Sequence, residues 1–72
     1  MNIEQRKRLE QFKHVLMTYD QYKSILPSNE TLRNLRELYH DIGHPPTGSC
    51  GGCIPMILET LIDHLKEEGL YE

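Results

Sequence analysis

The stretch HDIGHPPTGSCGGCIP, residues 40–55, decides how this chain is read, because it alone departs from helix-forming sequence. It contains both cysteines, two of the four histidines, three of the four prolines and four of the five glycines in 72 residues. Apolar residues recur at helical spacing on either side of it. The chain therefore reads as helical arms joined by an unusual elbow, and the chemistry of that elbow carries the functional reading.

Working outward towards the N-terminus, Leu32, Leu35, Tyr39 and Ile42 step by three, four and three residues, with Leu38 widening the stripe. Ser28 and Asn29 are good caps ahead of this helix, Glu30 suits its first turn, and Gly43 followed by Pro45 and Pro46 is a stop signal. Asp41 sits unfavourably in the last turn, whereas His40 is favourable there when charged. Earlier still, Phe12, Val15, Tyr19, Tyr22 and Leu26, flanked by Leu9 and Leu16, predict one long amphipathic helix over residues 3–26. It should stop before Pro27.

Beyond the elbow, Pro55 is compatible with a helix only in its first positions, since it lacks a backbone donor and clashes with a preceding turn. A helix beginning near Gly52 meets that demand, with Cys53 in its first turn and Cys50 still in the loop. Ile54, Ile57, Leu58, Leu61, Ile62 and Leu65 give it a broad apolar face, and Gly69 marks its end. No stretch reads as a pair of strands and no internal repeat occurs. These readings predict an all-α fold: a single domain over residues 1–72, of three helices, the second and third forming a hairpin around the C-x-x-C elbow.

Composition bounds the function classes. A chain this short buries too little apolar surface to offset chain entropy comfortably without a staple, a metal or a partner. No apolar run approaches the roughly 20 residues needed to cross a bilayer, and the N-terminus lacks the apolar core of a signal peptide, so a cytoplasmic protein with no membrane partner is expected. Arg6, Lys7, Arg8 and Lys13 make the N-terminus basic, while residues 59–72 carry five acids against Lys66. Four cations interrupted by Glu4 and Glu10, in a chain of net charge −3 and pI 5.7, are no nucleic-acid stripe; they read as a solvated helix face.

The elbow admits several chemistries. His40 and His44, then Cys50 and Cys53, supply two imidazoles and two thiolates, a normal tetrahedral set for structural zinc that would tie the second helix to the third. The pattern resembles the His-His-Cys-Cys zinc domain of retroviral integrases, where the gap between the pairs is several times longer, so no function follows from it. The alternative is thiol–disulfide exchange by Cys50 and Cys53, because a helix N-terminus stabilises thiolate. Thioredoxin-like proteins, however, place such a motif after a strand, and the helical alkylhydroperoxidase type adds a histidine that Ile54, Pro55, Met56 and Ile57 do not provide. A plain disulfide, inert cysteines, or half a site completed by another subunit also stay open. His14 and His64 read as surface or boundary residues. Glu67 and Glu68 are adjacent and diverge on a helix, so they form no carboxylate pair.

The segment from Leu38 to Leu65, in which Ser49, Cys50, Cys53 and Ile54 lead into the last helix, resembles short proteins of tailed-phage genomes that open their last helix with a Ser-Cys-x-x-Cys-Ile-type segment. The resemblance covers about 28 residues and implies a phage accessory or virion protein that acts by binding another protein. The expectation is therefore a small non-catalytic protein-interaction module, stapled by zinc at its elbow and binding another protein or itself. Two tyrosines of the first helix, Leu70 and Tyr71 are the first places to seek such contacts.

Overall fold

The computed structural model describes residues 2–45 and 52–71. Among them are four α-helices and no strand: α1 (Ile3–Gln11), α2 (Lys13–Tyr22), α3 (Asn29–Asp41) and α4 (Cys53–Glu67). The all-α class holds. The expected first helix is in fact two, and the C-x-x-C elbow lies largely outside the described residues.

Helix α4 is the element the others lean on. It contacts α1, α2 and α3, and its Ile57, Leu58, Leu61, Ile62 and Leu65 are all buried. Leu35, Leu38 and Tyr39 of α3, Leu16 and Tyr19 of α2 and Leu9 of α1 complete the core. Those of α3 and α4 come from the stripes their spacing predicts, whereas in α1 and α2 the flanking Leu9 and Leu16 are buried with Tyr19, and Phe12 and Val15 of the expected stripe are only partly buried.

The break between α1 and α2 falls at Phe12, whose φ of −98° and ψ of 9° leave the helical region and whose N–H bonds back to the carbonyls of Leu9 and Glu10. No glycine or proline marks it. The two halves serve different neighbours: α1 packs on α3 and α4, whereas the main partner of α2 is α4. The bend thus follows the core, not a local breaker. The second half also ends four residues early, at Tyr22, because Lys23 takes a left-handed φ of +59° and caps the helix through its N–H to the Tyr19 carbonyl. Residues 23–26 leave the helix, so Tyr22, Ile25 and Leu26 stand more than half exposed.

Caps account for the other boundaries. Asn2 and Gln5 form a reciprocal capping box at α1, and Ser28 accepts from the Thr31 N–H at α3. Both glycine stops are Schellman motifs. Gly43, at φ +106°, donates to His40 O while His44 N–H reaches Tyr39 O; Gly69, at φ +72°, donates to Lys66 O while Leu70 N–H reaches Leu65 O. A side chain at either glycine would be strained by that φ alone.

The opposite charges of the two ends meet within the chain. Arg8 bonds the Asp41 carboxylate at 3.1 Å, and Gln5 donates to the Asp41 carbonyl, so the acid at the wrong end of α3 is neutralised. Arg6 reaches the Glu68 carbonyl at 3.1 Å at the end of α4. Such exposed pairs contribute at most about 1 kcal/mol each. They orient α1 across the ends of α3 and α4.

The C-terminal residues are docked. Leu70 and Tyr71 pack against the core, and the Tyr71 hydroxyl donates to the Asp20 carboxylate. That bond, and then the Lys23 ammonium, hold the Asp20 carboxyl below its ordinary value of 3.8, while Asp20 holds the Tyr71 phenol above its ordinary 10.0. Of the surfaces the sequence nominates for partner contact, Tyr19, Leu70 and Tyr71 are therefore occupied internally, and Tyr22 is not.

Two outcomes follow. Leu61→Ala, at a position with no exposure, costs about 2–5 kcal/mol in urea unfolding, a large share of what a domain this size possesses. Tyr71→Phe lowers the Tm at neutral pH. Because the Asp20 value is depressed, its contribution is present above pH 3.8 and lost as pH falls through the folded value; because the Tyr71 value is raised, the contribution is present below pH 10.0 and lost as pH rises through the folded value. Tm profiles of parent and variant should separate between those limits and converge outside them. Parallel profiles from pH 2 to 7 would refute the assignment.

Candidate functional site

The site is built where α3 stops. Gly43 turns the chain so that His44 is the second residue past the cap, and the contact that usually closes a Schellman motif, between that residue and the third from the helix end, is here a ring stack. The Tyr39 and His44 rings lie 4.5 Å apart between centroids at 16°. The His44 carbonyl receives the His40 Nδ1–H at 3.1 Å, which fixes the His40 tautomer and ties the turn from its other side.

Held this way, the His44 imidazole reaches α4. Its Nε2 lies 3.0 Å from Nε2 of His64, with ring centroids 5.2 Å apart and planes at 61°. Glu67 sits behind His64, its carboxylate 3.9 Å from Nδ1, and the His64 side chain is three-quarters buried. In the hydrogen bond between His44 and His64 one Nε2 donates and the other accepts.

The expected zinc set of His40, His44, Cys50 and Cys53 is distributed as follows. Cys50 lies outside the described residues. Cys53 is the first residue of α4 and is disulfide-bonded; the one other cysteine of the chain is Cys50. His44 meets His64, which lies eleven residues beyond Cys53 and so about 16 Å further along the α4 axis. The described residues bring His44 to His64 and not to Cys53. A disulfide sulfur carries no thiolate charge, so cysteine-ligated zinc belongs to the reduced chain. Among the described residues no group of three or more His, Cys, Asp or Glu side chains is placed to hold a metal ion.

Sequence reasoning set His64 aside. Its place at the margin of the α4 face was legible, since Ile57, Leu61 and His64 step by four and three. Its partner was not, because 20 residues and a turn separate it from His44.

A second feature is apolar. Val15 and Thr18 of α2, with His14, Ile25, Leu26 and Pro27, line a shallow groove open to solvent. No polar or charged side chain among the described residues is buried. No helix among the described residues is long and apolar enough to cross a membrane. Comparison of the chain with protein-family models, curated proteins and solved structures finds no match.

Replacing Cys50 and Cys53 together by serine should cost about 2 kcal/mol, the entropic worth of a crosslink closing a loop of about four residues, and reductant should lower the parent Tm by a similar amount. A double variant as stable as the oxidised parent would show that the crosslink does not stabilise the fold.

Proposed function

We propose that the protein is a small non-catalytic interaction module, binding another protein or a second copy of itself through the surface formed by Tyr22, Ile25 and Leu26. One observation carries this reading: Tyr22, Ile25 and Leu26 lie within five residues of one another and are exposed at 56%, 53% and 53%, and Ile25 and Leu26 line an apolar groove, whereas the other large apolar side chains exposed among the described residues, Ile3 and Met56, lie apart in the chain. The resemblance of the Ser49–Ile54 segment to short tailed-phage proteins favours a partner in a virion or its host.

Thiol–disulfide exchange is the second reading, favoured by the placement of disulfide-bonded Cys53 at the first position of a 15-residue helix. The helix dipole stabilises a thiolate there and makes Cys53 a better leaving group.

The test compares the parent with Tyr22→Ser/Ile25→Ser/Leu26→Ser. All three residues are exposed, so the variant should keep the parental Tm. Sedimentation over a range of concentrations reads self-association, and a purified candidate partner, found by crosslinking the parent in its native cell, reads heterotypic binding. Loss of either association in the variant, by at least about tenfold for three anchor residues, supports the module. Unchanged association sinks it, and disulfide-reductase activity abolished by Cys53→Ser in a folded protein would move the assignment to exchange chemistry.

A further inference from the structure

We infer that a pocket between the first turns of α3 and α4 binds a small apolar carboxylate, an organic acid with one ring or a short chain. The two helices run in parallel and not as the antiparallel hairpin expected from the sequence. Arg6 and Arg8 of α1 reach Glu68 and Asp41 at their C-terminal ends, and His44 meets His64 on the same side. Their N-terminal ends have no such bridge among the described residues. Between those ends Leu32, Ile54 and Ile57 form the apolar lining of a partly enclosed pocket of about 200 Å³, and Asn29 and Arg36 complete its wall. Ile57 is buried, whereas Leu32 and Ile54 pack against the core and stay partly exposed. An apolar cavity of about 150 Å³ takes up benzene, so this one has room for a ring with a short tail.

Charge selects the rest of the ligand. A second depression, lined by Asn29, Glu30, Arg33 and Arg36, adjoins the pocket and shares Asn29 and Arg36 with it. Arg6 and Arg8 are paired with Glu68 and Asp41, but Arg33 and Arg36 form no ion pair or hydrogen bond with any described residue. A guanidinium is a planar fork that matches the two oxygens of a carboxylate. Two guanidinium groups against the one Glu30 carboxylate leave a single positive excess, which suits a monoanion better than a phosphate monoester. Sites for small molecules combine such an apolar lining with a few polar groups that fix orientation. The ligand's apolar part would lie on Leu32, Ile54 and Ile57, with its carboxylate at Arg36, the Asn29 amide beside it as a further donor and Arg33 adding charge. This pocket shares no lining residue with the groove of Val15, Ile25 and Leu26, so it stands apart from the interaction surface.

The test titrates the parent chain, labelled at its methyl groups, with hydrocinnamate and follows it by NMR. Resonances of Leu32, Ile54 and Ile57 should shift to saturation, while those of Val15 and Leu26 stay in place. The neutral isostere hydrocinnamamide should bind at least about tenfold more weakly, as should hydrocinnamate to Arg36→Gln, the change expected when one charge-assisted pair is lost. Lys7→Gln, on α1, should bind as the parent does. Inorganic phosphate should leave the three methyl signals unmoved. Shifts that do not saturate, shifts at Val15 and Leu26 in their place, equal affinity for the amide, or shifts produced by phosphate overturn the assignment. The amide comparison needs only the parent chain, so it decides the matter even where Arg36→Gln fails to fold.

Discussion

Burial of one helix face organises this molecule. Ile57, Leu58, Leu61, Ile62 and Leu65 lie along a single side of α4 and supply nearly half of the buried core, so every other helix finds its position by covering them. A chain of this length leaves a large fraction of its surface wet even when folded. The remaining order is therefore carried at the ends, where α1 lays Arg6 and Arg8 over the C-termini of α4 and α3 and Tyr71 returns to Asp20 of α2. Each of these bonds joins helix ends whose order the core alone leaves loose.

Covering α4 has a cost elsewhere. A straight helix over residues 3–26 would carry its whole stripe past a core only four turns long, and the chain instead bends at Phe12 and stops at Tyr22. Lys23 accepts a left-handed conformation unusual for its type, with its ammonium 3.2 Å from Asp20 on the preceding turn. The apolar residues that follow are left outside the core. The exposed Tyr22, Ile25 and Leu26 are thus the residue of a packing solution, left outside the core by the early stop at Lys23.

The histidine pair arises from a cap. Gly43 ends α3 with a Schellman motif, the motif stacks His44 on Tyr39, and the stack aims His44 at α4. Nothing in this sequence of causes involves Cys53, which begins α4 at its opposite end. Disulfide-bonded Cys53 at the start of α4 and the imidazole pair at His64 are therefore separated by about three turns of one helix.

Much of this was legible in the chain alone. Apolar spacing identified the buried faces of α3 and α4 and the all-α class, while Ser28, Gly43, Gly52 and Gly69 marked helix ends, because caps and stripes are local consequences of backbone geometry. The bend at Phe12 and the early stop at Tyr22 carried no breaker signal; they follow from which neighbour each half covers. The pairing of Arg6 with Glu68, of Arg8 with Asp41 and of His44 with His64 joins residues 20 to 62 positions apart. Sequence period places a side chain on a face of its own helix, whereas its partner depends on how two helices cross, and only the packed core decides that.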